Sequence, residues 1–409
     1  MKHQRIGLVI VAATCAVLQL PSARAIDVTA GDWKLSFAGN VNADYIYQSC
    51  EKASSAAAVS GGLACVSSDS SSSVSNGLLP AALTINGSTT QKGWDLGFTF
   101  GLYPGISTND GGSPNLQTGN GPTHTALGTA GIDLRQAFLT FGNASFGQVM
   151  AGRNIGLFAA DAILNDMTLI GVGAGNGNYS APANTSLGSI GLGYIYTDWL
   201  AQINYTTPDL SGLKVTFGIF DPLNVLGQPV PSNKDTPGFH AKAAWTLGSG
   251  LYLSASGLYQ KQKNAGGIGI GNYDSWAFDV GGKWDIAMTG LQAAGWYYYG
   301  DGVGTTGLFV LSNDPLGSPR HSGGFLAQLT WTINQTKLGF NYGESKLDQA
   351  TGELNPTLVS KNSKATGGIY QTITDNLILL AEYTHTQAEN QAGGKNSADT
   401  FNVGAFLKF

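Results

Sequence analysis

The chain has 409 residues, with 21 Lys and Arg against 26 Asp and Glu, a formal net charge of −5. Only 11% of the residues are charged, less than half the share in an ordinary globular protein, while the mean hydropathy is −0.00. Low charge without greasiness excludes a helical membrane protein, which needs apolar runs of about 20 residues, and the acidic balance excludes a nucleic-acid binder, which needs a basic face.

The first 25 residues read MKHQRIGLVIVAATCAVLQLPSARA. Lys2 and Arg5 form a basic head, Ile6 to Leu20 an apolar core, and Ala23-Arg24-Ala25 an A-x-A cleavage site, the three parts of a secretory signal. Cys15 lies within the apolar run and reads as filler. Cleavage after Ala25 removes Lys2, Arg5 and Arg24, which takes the net charge from −5 to −8. One continuous domain, 26–409, is expected to follow.

The next stretch, WKLSFAGNVNADYIYQ, alternates. Trp33, Leu35, Phe37, Val41, Ala43, Tyr45 and Tyr47 fall on one face, and Lys34, Ser36, Asn40, Asn42, Asp44 and Gln48 on the other. Period two is the mark of a strand with two unlike faces, and this one is long for a globular sheet. A long first loop, 49–80, follows and carries a serine run. Cys50 and Cys65 lie in it, and in an exported chain such a pair is expected to form a disulfide.

The alternation recurs at PGFHAKAAWT, SWAFDVGGKWDI and GGFLAQLTWTIN, with LKVTFGIF, GWDLGFTFGLY, TKLGFNYG and LILLAEYTH less clean. Short turns occur at 92–93, 143–147, 207–212, 248–250, 288–290, 334–335 and 375–376. Long Gly/Ser/Asn-rich spacers lie between, at 49–80, 109–130, 161–189 and 308–322. Counting strands between spacers gives about sixteen. Two-faced strands with short turns at one end and long loops at the other describe an antiparallel transmembrane β-barrel. In that fold apolar alternates face lipid and polar alternates line an aqueous lumen. A soluble β-sandwich shelters the same alternation but has no reason to keep every short turn on one side.

The stretch RQAFLTFGNASFGQVMAGRN (135–154) resembles two consecutive strands of the general-diffusion porins of Gram-negative bacteria. TTPDLSGLKVTFGIF (206–220) is similar to the following turn and strand, and GGIYQTITDNLILLAEYTHTQ (367–387) to the penultimate hairpin. The terminal Phe409 matches the residue read by the barrel-assembly machinery. The resemblance spans 33–409 in strand order, with a long first loop and the glycine-rich GVGAGNGN (171–178) as departures. It implies a homotrimer in the outer membrane, its lipid and the assembly machinery as partners, and small hydrophilic solutes and ions as cargo. It also implies that 154–190 folds into the barrel, with Arg135 and Arg153 on the wall facing Asp161 and Asp166 across a transverse field. Arg153 as a simple clamp on loop carbonyls is the alternative, and LRQAFLTFG alternates too poorly to orient Arg135.

Parity sends Lys34, Lys214, Lys242, Lys283, Lys337 and Lys408 inward, and with them Asp44, Asp95, Asp279, Asp285 and Glu382. The two sets are too balanced to name an ion preference. No catalytic group, cofactor or metal is expected. Ser49-Cys50-Glu51-Lys52 lacks the companions of an S-x-x-K site, GGIGIGN (266–272) lacks a βαβ setting, and His124, His240, His321 and His385 are scattered. The expected function is passive diffusion through an outer-membrane pore. A substrate-selective channel in the same fold, and a plugged adhesin or structural barrel, remain open.

Overall fold

A strand that alternates greasy and polar side chains needs two different solvents, one on each side. A closed barrel in a membrane supplies them while pairing every backbone N–H and C=O. The computed structural model describes residues 25–51, 59–64, 70–106, 132–175, 185–225, 235–263 and 271–409. The first nine strands are β1 (Ile26–Ala30), β2 (Trp33–Glu51), β3 (Ser70–Ser75), β4 (Ala82–Gln91), β5 (Trp94–Pro104), β6 (Ile132–Asn143), β7 (Gly147–Ile155), β8 (Trp199–Thr206) and β9 (Leu213–Phe220). The second nine are β10 (Gly238–Leu247), β11 (Leu251–Gln262), β12 (Tyr273–Ile286), β13 (Leu291–Asp301), β14 (His321–Ile333), β15 (Thr336–Leu347), β16 (Val359–Thr372), β17 (Leu377–Asn390) and β18 (Lys395–Lys408).

All pairings between the strands are antiparallel, and the ring runs from β2 through β4 to β18 and back to β2, sixteen strands in all. The two extra strands complete β2, which is longer than its neighbours. Asp44–Ser49 pair with β3 while Lys34–Asn40 pair with β4 on the same flank. On the other flank β18 occupies Asn40–Glu51 and β1 occupies Trp33–Phe37. Phe409 closes that seam by exchanging both backbone hydrogen bonds with Gly39, at 2.9 and 3.0 Å.

The expected first loop needs correcting. β2 runs on to Glu51, and β3 lies inside the span read as loop. Between β3 and β4, residues 76–81 leave the wall and turn into the barrel, bringing the buried Leu78 and Leu79 with them.

The outer surface follows the parity of the sequence. Val41, Tyr45, Phe217, Val280, Leu329, Phe340, Phe401 and Val403 are exposed, and the residues between them face inward. Rings gather at two levels. Near the short turns, Trp94 meets Phe146 (5.4 Å), Phe146 meets Tyr205 (5.7 Å) and Tyr205 meets Phe217 (5.5 Å). Toward the long loops, Trp276 meets Tyr299 and Phe325 meets Tyr342, both at 5.9 Å. Two aromatic belts flanking an apolar band are what a lipid bilayer selects.

Candidate functional site

The lumen is shaped by the segment between β7 and β8. It holds a short helix, α1 (Ala160–Leu164), a 3₁₀ turn (Met167–Ile170), and a return through 185–198. Ile163, Leu169 and Tyr194 of this segment are buried against Trp296, Leu326 and Phe406. Trp296 and Leu326 alternate with the exposed Tyr297 and Phe325, so these wall residues point into the barrel. Apolar side chains in a lumen are costly in water, and the loop covers them.

Polar wall groups fix the loop backbone, whose N–H groups must find acceptors away from water. The Glu382 carboxylate on β17 accepts from Val172 N (2.7 Å), Gly173 N (2.9 Å) and Tyr370 Oη (2.5 Å). Gln328 on β14 accepts from Met167 N at 3.0 Å and donates to Asn165 O at 2.7 Å. Gly171 sits so close to Glu382 that an added Cβ would lie 2.2 Å from its Oε1. The inward turn at 76–81 joins from the side: Leu78 N donates to Gly171 O (2.7 Å), and Asn42 Nδ2 donates to Leu79 O (2.8 Å).

The expected site residues divide into groups. Asp161 on α1 is buried, accepting from Lys242 Nζ (3.0 Å) and Tyr252 Oη (2.7 Å). Lys283 Nζ lies 5.9 Å from the ring centre of Tyr252, the wall tyrosine that donates to Asp161; of the two lysines, Lys242 is the one that pairs with the loop. Asp279 does not line the pore. It is buried against Ser256 and accepts from Ala159 N at 3.2 Å, just before α1. Asp166 caps the 3₁₀ turn through Thr168 N (3.0 Å) and accepts from Tyr194 Oη (2.9 Å) and Asn341 Nδ2 (3.1 Å). It is a structural cap. Asp44 is also buried, with Asn402 Nδ2 at 3.2 Å, and Lys34 stands on the turn-end rim paired with Asp27 at 2.9 Å.

The two arginines separate. β5 and β6 slip register between Gly101 and Leu102, leaving Arg135 as the extra residue of a bulge. A bulge re-aims its side chain, so Arg135 and Gln136 both turn inward, and the poor alternation of LRQAFLTFG is the trace of that slip. Arg135 Nε donates to Asp133 (3.0 Å), and its guanidinium lies 5.0 Å from the Tyr103 ring centre and 5.8 Å from that of Trp199. Arg153 pairs in register with Ala137 and Ala201, on the row that continues to the exposed Leu139 and Ile203. That is the outward row. Gly152 takes the inward place, with φ +132°, and the close approach it permits is to Ala137 and Phe138 of β6. Two facing rows, arginines against Asp161 and Asp166, are therefore not what the wall presents.

Beside this cluster Asp198, in the loop, is buried, and burial pushes its carboxyl up to about 6 despite Trp199 N–H and the nearby Arg153 and Arg135, with Asp133 adding to the rise. A raised carboxyl holds its proton more tightly in the folded loop than in the unfolded chain, where the value is about 3.9. The folded loop therefore loses stability as pH climbs from about 4 to about 6, and is flat above. Protonation also leaves the inward-facing Arg135 less compensated. The reversal potential is expected to move toward anions as pH falls through about 6, and Asp198→Asn should abolish that movement; a variant that keeps it removes Asp198 from the explanation.

Cys50 is disulfide-bonded. Its expected partner Cys65, the signal segment 1–24, His124 and most of GGIGIGN lie outside the described residues.

A closed sixteen-stranded barrel with an apolar exterior, two aromatic belts and a lumen narrowed by an inward loop is an outer-membrane channel. The match of the Gram-negative porin family model across residues 8–405 gives the particular class, and the chain belongs to that family. No curated protein matches the sequence. Among solved structures, the chain is similar to the outer membrane channel DcaP of Acinetobacter baumannii, with 14% identity, 93% of this chain and 99% of that one covered, and a TM-score of 0.67. It is similar to the anion-selective porin from Comamonas acidovorans at 14% identity, 92% and 100% coverage, and a TM-score of 0.62. Salmonella typhi OmpF, solved with daunomycin, follows at 13% identity, 94% and 100% coverage, and a TM-score of 0.58. The protein is an outer-membrane porin, a path for passive diffusion.

Proposed function

We propose that the pore is weakly selective and carries ions and small hydrophilic solutes, with no catalytic role. One observation carries this reading: the inward loop is held to the wall by Glu382, Gln328 and an apolar seam, which leaves a fixed narrowing rather than a binding pocket. At that narrowing Lys242 and Tyr252 meet the loop carboxylate Asp161, with Lys283 over the face of the Tyr252 ring. Charged groups beside a narrow aqueous path set local ion concentrations. The exported form begins at Ile26, after a signal with all three expected parts. Cys50 pairs with Cys65 and fastens the first loop. Phe409, seated at the seam with Gly39, serves the assembly machinery. The barrels associate as homotrimers, as an OmpT of Vibrio cholerae solved in a trimer form does.

Single-channel recording in planar bilayers tests this. Stepwise, ohmic conductance with a small reversal potential under a salt gradient is the expected result. Saturable block by one solute would instead make the channel substrate-selective. Insertion without conductance would make it a plugged structural barrel.

A further inference from the structure

The connection between β13 and β14, 302–320, also enters the barrel. Val303, Leu308 and Phe309 are fully buried and pack with Leu258, Ala277 and Tyr298. Those wall residues alternate with the exposed Tyr259, Trp276 and Tyr297, so they face the lumen, and whatever packs on them lies inside. There the segment joins the first inward loop: Tyr196 N donates to Thr306 O at 2.8 Å, and Tyr196 bridges Gly307 as a short parallel pair. Phe309 (φ 66°) and Leu311 (φ 60°) hold left-handed backbone conformations. Bulky residues keep such angles only where their surroundings over-determine them.

The restraint comes from Arg320, buried at the end of the segment. Its Nε and Nη2 donate to the two carboxylate oxygens of Glu353 at 2.8 and 2.5 Å, and its Nη1 donates to Leu311 O at 3.1 Å. Glu353 belongs to the β15–β16 connection and also accepts from Ala350 N at 3.0 Å. A two-point fork of this kind fixes direction as well as distance, and the third donor grips the loop backbone. Arg320 lifts no part of the barrel wall itself: it ties one extracellular connection to another across the β14–β15 hairpin.

We propose that 302–320 is a second constriction element, and that Arg320 and Glu353 are positioning residues that hold it in the lumen and so set the cross-section of the pore along β11–β13. The proposal rests on the channel reading above. Because the pair is buried, removing one member leaves the other uncompensated, and release of the segment into water relieves it.

Planar-bilayer recording of Glu353→Gln and Arg320→Gln is the test, with the reversed pair Arg320→Glu/Glu353→Arg for rescue. Each single variant is expected to conduct about 1.5-fold more than the parent, with added flicker, since pore conductance follows pore width; the reversed pair should return toward the parent value. Deletion of 304–311, which leaves Arg320 and Glu353 in place, gives a second readout if a single variant fails to assemble, and it too should raise conductance. Folded variants that conduct like the parent would overturn the second constriction while leaving the channel intact. A parent protein that inserts and never conducts would instead overturn the reading on which the proposal stands.

Discussion

Replacing Glu382 with Ala is expected to widen the channel without unfolding it. The carboxylate accepts three hydrogen bonds, two of them from consecutive N–H groups of the inward loop. Bonds to a charged acceptor contribute about 1.5–3 kcal/mol each, and the orphaned donors add their own cost. Losing them weakens loop docking by roughly 3–5 kcal/mol, which at about 1.4 kcal/mol per tenfold shifts the docked-to-free ratio by about two to three and a half decades. The strands keep their ladder, so the barrel survives while its narrowing loosens. Conductance should rise, with frequent transitions between levels. Glu382→Gln keeps one acceptor oxygen and should fall between. Gly171→Ala should act like Glu382→Ala from the other side, because its methyl occupies the space of the carboxylate. Quiet, parent-like channels from Glu382→Ala would mean that the apolar seam alone holds the loop.

The second large effect lies on the outside. Val280 faces outward on β12, midway between the belt residues Trp276 and Trp284. Arginine at the bilayer midplane of a barrel costs about 2–4 kcal/mol. Ala244 lies one register row away and on the other face, opposite Lys214 and Ser254. The same arginine there meets lumenal water and is expected to cost under about 1 kcal/mol. Denaturant titration of folding into lipid vesicles measures both. Equal costs at the two positions would show that the two faces see the same solvent.

Much of the fold was legible because its signal is local. Period two, the turn positions and the ring-bearing strand ends can each be read within about ten residues; on that parity Tyr45 is exposed and Lys242 reaches the loop residue Asp161. The site was less legible because it depends on contacts distant in sequence. Asp279 and Glu382 share the inward parity of Lys283, yet a loop more than a hundred residues away in sequence buries them beneath its backbone donors while Lys283 faces the Tyr252 ring. Parity separates two faces; it does not separate a pore-lining carboxylate from a loop anchor. Arg135 and Arg153 show a different limit. One extra residue in β6 reverses the count, and the slip is visible only as a lapse in alternation. The second inward segment did leave a trace in the sequence. Leu308, Phe309, Val310 and Leu311 form an apolar run in a connection that would otherwise face water, and such a run needs cover. Phe406 left another, as an aromatic on the inward row of the last strand.

Tryptophan emission tests the central claim most directly. Trp94, Trp245, Trp276, Trp284 and Trp331 are exposed on the outer rows, while Trp296 is buried in the lumen. In vesicles of lipids brominated along their chains, the emission should be strongly quenched, with little further loss on adding aqueous iodide. Emission that ignores the bromines and yields to iodide would place those rings in water, and the barrel would then have its two faces assigned the wrong way round.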